Sequence, residues 1–194
     1  TTGITPLKWR AIAQNSSHPL QDRAIQGTYP PGSTFKIVTA SGGLEEGVIQ
    51  PDTTFFCPGY LKFGHRNYRC WKKSGHGKIS IHQAIVGSCD VFFYQVGLKL
   101  GVDRLAFYAR TFGLGRPTGI RLPGEKGGLI PDSRWKRKRF HEPWYQGETL
   151  SIAIGQGYVL TTPLQMAMLM ASVANDGKLL RPLIVKKIVD IEGN

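Results

Sequence analysis

The chain has 194 residues, of which 41% are hydrophobic and 10% aromatic; this composition predicts a globular domain and excludes a disordered chain. Its formal net charge of +12 suits an anionic partner, such as a nucleic acid, a membrane surface or another anionic polymer. No apolar run reaches the roughly 18 residues of a membrane-spanning helix, and no stretch reads as a signal peptide. The sequence starts without an initiator Met, so the lack of an anchor leaves its location open.

The first predicted helix runs from Ser33 to about Glu46, because "PPG" precedes it and Gly47 follows it. Residues 51–79 are rich in Gly, Pro, Cys and aromatic residues and show little periodicity. They are predicted to form a loop or a small subdomain.

Three helices are predicted next. One is capped by Ser80, one is capped by Asp90 and stopped by Gly101, and one extends from Asp103 to Gly113. Serine and aspartate are typical of helix starts, and glycine of helix ends, which sets these boundaries.

Residues 114–150 are predicted to be mostly loop, with short strands around residues 119–122. A capping box of Thr162 and Gln165, with a proline at the first helical position between them, then starts a strong helix that ends at Gly177. The stretch "RPLIVKKIVDIEG" predicts a final strand with a turn from Glu192.

Ser33 and Lys36 lie three residues apart and would share one face of their helix. A serine hydroxyl becomes a good nucleophile when a neighbouring base takes its proton, and a lysine can be that base. A helix start also offers backbone N–H groups that stabilise an oxyanion. Ser-x-x-Lys is common by chance, so the simpler alternative is a capping serine followed by a surface lysine.

The surrounding stretches favour the catalytic interpretation. "QGTYPPGSTFK", "SCDVFFYQVG", "WYQGETLSIAIGQGY" and "TPLQMA" together resemble the transpeptidase domain of class B penicillin-binding proteins, in the branch that serves the rod-shape (elongation) system. The resemblance runs from residue 4 to residue 194. It implies an α+β fold of the penicillin-binding transpeptidase and serine β-lactamase type, with a helical subdomain on an antiparallel sheet. Residues 1–194 would be part of that domain, with a loop subdomain at about 51–79.

The resemblance also implies roles for individual residues. Ser33 would be the nucleophile and Lys36 its base, as in the Ser-x-x-Lys element of these acyl-transfer enzymes. Ser88 would relay a proton between Lys36 and the leaving amine, and Asp90 would support the substrate-binding wall of the cleft. Ser88-Cys89-Asp90 is a Ser-x-Asp form of the family's second element. Helix capping is the alternative role of Ser88 and Asp90, and both roles are compatible.

The third element of the family, Lys-Thr-Gly or Lys-Ser-Gly, has no acceptable match in this sequence. "KSG" at residues 73–75 precedes Ser88 and lies in a glycine-rich stretch, so it is rejected. The third element is expected beyond Asn194, which would leave the fold truncated on its C-terminal side and the enzyme incomplete.

Cys57, Cys70, His76 and Cys89 fall within 33 residues and together make a complete set of four zinc ligands. Their spacing is not that of a zinc finger. Buried thiols, or one disulfide with a free Cys89, are the alternatives, and His65 is a spare ligand. A structural zinc ion is predicted, with no cofactor for catalysis.

The expected activity is D,D-transpeptidation of peptidoglycan through an acyl-serine, with stem peptides and β-lactams as ligands. A membrane glycosyltransferase of the elongation machinery is the expected partner, and the inner membrane facing the periplasm the expected location. A D,D-carboxypeptidase or β-lactamase and a β-lactam sensor without turnover are the alternatives. "WKRKR" at residues 135–139 is interpreted as a solvated loop, and no nucleic-acid partner is expected.

Overall fold

The computed structural model describes residues 3–187 and residue 190. In these ranges the α-helices are α1 (Pro6–Ala13), α2 (Lys36–Glu45), α3 (Ile81–Val86), α4 (Asp90–Leu100), α5 (Val102–Thr111), α6 (Ser133–Phe140), α7 (Gln146–Ala153) and α8 (Pro163–Ala174). A 3-10 helix covers Gly32–Phe35. The strands are β1 (Thr54–Cys57), β2 (Tyr60–Phe63), β3 (Arg66–Arg69) and β4 (Gly77–Ser80). None of these helices has the length and apolar character needed to cross a bilayer.

Helix α4 lies at the centre of the core and packs against α2, α5 and α7. It is apolar around most of its circumference, as expected of a helix that is covered on all sides. Phe92 and Phe93 are at most 1% exposed, although they are consecutive and point to different sides. A Cβ at Gly97 would lie 2.4 Å from the Cβ of Ala153, so glycine permits the close approach of α4 and α7.

The segment from β1 to β4 forms two nested antiparallel pairs. β1 pairs with β4, with Thr54 opposite Ser80, and β2 pairs with β3, with Tyr60 opposite Arg69. The prediction of a loop or small subdomain therefore missed four strands. Each strand has only four residues, which is too short for an alternating pattern to be recognised.

Several predicted helix ends agree with the structure. Ser80 and Gln83 form a capping box at α3, and Thr162 and Gln165 form another at α8. The cap of α4 is Cys89, so Asp90 is the first helical residue rather than the cap. The capping boxes were predictable because their side chains act on backbone groups within three residues.

Residues 114–150 are mostly loop, as predicted, but the prediction missed α6 and the start of α7. Residues 119–122 form no strand. The basic run is also not a solvated loop: it lies in α6, where the Lys136 side chain is 2% exposed and forms an ion pair with Glu148. The sequence of α6 is almost entirely polar, so no apolar periodicity marks it. An Asp132 side-chain cap and the buried ion pair hold it instead.

The final predicted strand is not formed in its described part, since residues 181–187 have no regular secondary structure. The rest of that strand and the turn from Glu192 lie outside the described residues, except for residue 190. Among the described residues, sheet pairing is limited to the two strand pairs and two isolated bridges.

Candidate active site and metal centre

Ser33 lies in the 3-10 helix that leads directly into α2. Gly32 enters this turn with a φ of 58°, and its N–H donates a hydrogen bond to the carbonyl oxygen of Gly155 at 2.9 Å. Phe35 anchors the turn in the core with no exposed surface, while Ser33 itself is exposed. The predicted abrupt helix start is therefore present, and it presents the hydroxyl of Ser33 at the surface.

Lys36 is the first residue of α2, and its side chain is only 3% exposed. Its Nζ donates hydrogen bonds to the carbonyl oxygen of Ser88 at 2.8 Å, to Ser88 Oγ at 3.0 Å and to Asp90 Oδ1 at 2.7 Å. The Phe93 ring centre lies 5.7 Å from the same Nζ. The buried ammonium is thus paired and hydrogen-bonded, as a buried charge must be.

Ser88 joins the lysine to the predicted nucleophile. Its hydroxyl donates a hydrogen bond to Ser33 Oγ at 2.9 Å. Among the described residues, Lys36 Nζ makes no hydrogen bond to Ser33, so the direct contact expected from the i, i+3 spacing is replaced by a bridge through Ser88. The structure therefore brings together Ser33, Lys36, Ser88 and Asp90 in one polar network.

The backbone of Ser88 is in the left-handed region, with a φ of 48°. This conformation is unfavourable for a residue with a Cβ and is found where surrounding structure fixes it. Hydrogen bonds from Ser88 N to Ile85 O and from Cys89 N to Ala84 O provide that restraint. The turn allows Ser88 Oγ to reach Ser33 while Cys89 is fully buried on the other side.

Trp71 is a residue of the site that sequence reasoning missed. Its backbone N–H donates to Asp90 Oδ2 at 3.0 Å, and its indole N–H approaches the carbonyl oxygens of Gly87 and Ser88 at 3.0 and 3.1 Å. It thereby braces both the carboxylate and the carbonyl that Lys36 contacts. Its position directly after Cys70 in the sequence was the available signal, but no local pattern reveals contacts 16 to 19 residues away.

Cys57, Cys70, His76 and Cys89 form a second cluster directly behind the Ser88 turn. One ligand atom from each lies within 4.8 Å of all the others, and none of the three cysteines is in a disulfide. His65 is not a member of this group. The predicted four residues therefore meet in space, although Cys57 ends β1, Cys70 follows β3, His76 precedes β4 and Cys89 precedes α4.

Two distances between donor atoms of this cluster match those around a tetrahedral zinc ion. His76 Nδ1 lies 3.6 Å from the sulfur of Cys57 and 3.6 Å from that of Cys70. A ligand-edge distance of about 3.6 Å follows from tetrahedral angles and the usual Zn–S and Zn–N bond lengths. His76 Nε2 lies 3.2 Å from the carbonyl oxygen of Gly87, so a proton on Nε2 leaves the Nδ1 lone pair facing the thiols.

Burial raises the pKa of the Cys89 thiol, and the neighbouring Cys57 raises it further. A thiol in this environment stays protonated at neutral pH unless a cation is bound. A zinc ion reverses that preference because it binds the thiolate. The chemistry of the donor set thus matches a metal centre better than it matches three independent thiols.

The sequence matches the model of the penicillin binding protein transpeptidase domain over residues 7–194. The peptidoglycan D,D-transpeptidase MrdA of Haemophilus influenzae is 43% identical over 188 residues, which are 96% of this chain and 29% of that protein. The chain thus spans less than a third of this relative. It belongs to the penicillin-binding protein transpeptidase family.

Two solved structures are similar as well. Pseudomonas aeruginosa PBP2 in complex with WCK 5153 has a TM-score of 0.91 and 40% identity, covering 95% of this chain and 41% of that one. A peptidoglycan synthase complex that coordinates polymerization and crosslinking has a TM-score of 0.88 and 44% identity, covering 94% of this chain and 31% of that one. The predicted α+β fold and the predicted family are confirmed.

Proposed function

We propose that this chain is the nucleophile-bearing part of a peptidoglycan D,D-transpeptidase that cross-links stem peptides during cell-wall elongation. The observation that carries the proposal is the hydrogen-bonded series Ser33 Oγ, Ser88 Oγ, Lys36 Nζ, which pairs an exposed hydroxyl with a buried amine. The named activity of the Haemophilus influenzae relative supports it. β-Lactams would acylate the same serine.

The first step forms a bond between Ser33 Oγ and the carbonyl carbon of the penultimate D-alanine. In the structure the hydrogen bonds run from Lys36 Nζ to Ser88 Oγ and on to Ser33 Oγ, at 3.0 and 2.9 Å. For attack this direction reverses, so that Ser33 passes its proton to Ser88 Oγ and Ser88 passes its own proton to Lys36 Nζ. Lys36 must be neutral at that moment to act as a base. Asp90 and Trp71 keep the amine and the Ser88 turn aligned.

The tetrahedral intermediate then collapses, and its C–N bond breaks. Lys36 returns the proton through Ser88 to the departing amine of the terminal D-alanine, which leaves an ester on Ser33. An amine of a second stem peptide attacks this ester, forms the cross-link and restores the Ser33 hydroxyl. A third family element beyond Asn194 would supply a further oxyanion donor and hold the substrate carboxylate.

We assign Cys57, Cys70, His76 and Cys89 to one structural zinc ion. The 4.8 Å limit on their ligand atoms and the orientation of His76 support this assignment. The ion would tie the β1–β4 pair to the start of α4. Because Cys89 lies between Ser88 and Asp90, it would also hold the second element in place.

The remaining assignments follow the family. Residues 1–194 would be one part of a single transpeptidase domain, with the segment at about 51–79 as its metal-tied subdomain. The protein would act at the periplasmic face of the inner membrane of a bacterium. The similarity to a complex that couples polymerization and crosslinking supports a membrane glycosyltransferase as partner.

The reaction products test this proposal. The full-length protein is incubated with a stem peptide ending in D-Ala-D-Ala and an amine acceptor, and the products are separated by mass. We expect release of D-alanine together with a cross-linked peptide. Release of D-alanine with a hydrolysed peptide alone would indicate a carboxypeptidase, and rapid hydrolysis of an added β-lactam would indicate a β-lactamase. A stable acyl-enzyme without either product would indicate a sensor.

A further inference from the structure

The charged Asp, Glu, Lys and Arg side chains of the segment from Thr53 to Cys89 are all positive. The segment contains no Asp or Glu, although the whole chain has 13 acidic residues. It contains six basic residues, namely Lys62, Arg66, Arg69, Lys72, Lys73 and Lys78. The mechanism uses none of them. A surface of this kind next to a cleft attracts anionic groups of a substrate.

The pairing of β2 with β3 sorts the side chains of this hairpin onto two faces. Leu61, Phe63 and Tyr68 pack against the core. Because side chains alternate along a strand and Tyr60 is opposite Arg69, the outward face carries Tyr60, Lys62, Asn67 and Arg69. The exposed face of the hairpin is therefore polar and cationic.

A hollow of about 340 Å³ opens on this outward face. Its lining includes Tyr60, Asn67, Arg69 and Lys73. Among the described residues, neither cation forms an ion pair, and none of the four side chains is engaged in a hydrogen bond. Two cationic side chains, an amide and a phenol thus line the same hollow, and their hydrogen-bond donors are available to a ligand. This combination suits a carboxylate.

The walls of the hollow are held by backbone contacts. Cys70 N donates to the carbonyl oxygen of Gly59 at 2.8 Å, and a Cβ at Gly59 would lie 2.2 Å from the carbonyl oxygen of Lys73. The backbone at Lys73 therefore packs closely against Gly59, directly before β2. Because the site is preformed, binding a ligand there does not cost the free energy of ordering its backbone.

The hollow is connected to the active site through a short stretch of chain. Trp71 lies between Arg69 and Lys73 in sequence and contacts the carbonyl oxygen of Ser88. Cys70, another lining residue, belongs to the metal cluster. The hollow therefore adjoins the residues that brace the Ser88 turn, while neither Ser33 nor Ser88 lines it.

We propose that Arg69 and Lys73, with Tyr60 and Asn67, bind a carboxylate of a peptidoglycan stem peptide outside the space around Ser33. This inference rests on the proposed function and adds to it a second anchoring point for the substrate. The carboxylate belongs to the acceptor stem or to a distant part of the donor stem. The two sources share one chemistry, and substrates amidated in one stem or the other distinguish them.

The test uses the double variant Arg69→Ala/Lys73→Ala of the full-length protein. The matched control is Arg137→Ala/Lys138→Ala, which removes two exposed cations from α6. We expect the site variant to raise the KM for cross-linking at least about tenfold, because hydrogen bonds to charged groups are lost. The rate of acylation by a small β-lactam should stay unchanged in both variants, because that ligand does not reach the hollow.

Substrate amidation provides the second readout. Converting the recognised carboxylate to an amide should raise KM in the wild-type protein and have no further effect in the site variant. If KM rises on amidation of the acceptor stem alone, the recognised carboxylate belongs to the acceptor; if it rises on amidation of the donor stem alone, the carboxylate belongs to the donor. Arg69→Lys keeps a charge and should recover part of the affinity.

Three results would overturn this inference. One is an equal KM in the wild type and the site variant, and another is an equal rise in the α6 control. The third is a loss of β-lactam acylation in the site variant, which would indicate a structural role. If the wild-type protein itself forms no cross-links, the proposed function fails. If the wild type forms cross-links and the site variant has the same KM, this inference alone fails.

Discussion

We expect the Lys36→Arg variant to be acylated by a β-lactam roughly 10²–10⁴ times more slowly than the wild type, which is the usual contribution of a general base. Arginine keeps the positive charge beside Asp90, but it does not release a proton at neutral pH. Lys36 Nζ is the amine in hydrogen-bond contact with Ser88 Oγ, so no proton acceptor would remain at the end of the series. The rate is measured by stopped-flow labelling with a fluorescent penicillin.

The chain offers a matched control for this substitution. Lys136 is also nearly fully buried and also forms an ion pair with a carboxylate, that of Glu148, but it lies outside the Ser33 network. Lys136→Arg introduces the same change in shape and should leave the acylation rate close to that of the wild type. Near-normal acylation by Lys36→Arg, with normal folding, would contradict the role of Lys36 as the base.

The second large effect concerns the proposed zinc site. We expect the protein purified without a metal-affinity tag to contain about one zinc ion per chain. Cys70→Ser and His76→Ala should each reduce the bound zinc to a small fraction, because a structural site needs all four ligands. His65→Ala removes a histidine of the same segment that lies outside the cluster, and it should retain the metal.

Loss of zinc should also loosen the surrounding segment. The two strand pairs are short, and binding free energy at a structural zinc site is folding free energy. Amide hydrogen exchange at residues 54–80 should therefore become faster in Cys70→Ser and in chelator-treated protein, and acylation should slow indirectly through Cys89 and the Ser88 turn. A metal-free native protein with a Cys57–Cys70 disulfide would rule out the site.

The parts of the fold that the sequence predicted correctly are governed by local rules. The capping boxes at Ser80 and Thr162 act within three residues, and the glycine at Gly101 ends α4 as expected. Helices α6 and α7 were missed because tertiary contacts stabilise them. Lys136 of α6 pairs with Glu148 of α7, and neither helix shows a clear apolar pattern.

In the candidate site, too, the residue types could be predicted from the sequence, whereas the contacts between distant residues could not. Ser33 and Lys36 could be named from their spacing and from family motifs, and the four residues of the proposed zinc site from their number and type. The bridge from Ser33 to Ser88 joins residues 55 positions apart, so the order of the hydrogen bonds required the fold. Trp71 acts through its backbone and indole N–H groups on Asp90 and on two carbonyls, and no sequence pattern encodes such contacts.

The central claim is that Ser33 is the acylated residue, and one measurement tests it directly. The full-length protein is labelled with a fluorescent penicillin, digested and analysed by mass spectrometry. We predict a single adduct on the peptide that contains Ser33, its complete loss in Ser33→Ala, and its retention in Ser41→Ala, a serine of α2 outside the network. An adduct on another residue, or full labelling of Ser33→Ala, would contradict the assignment.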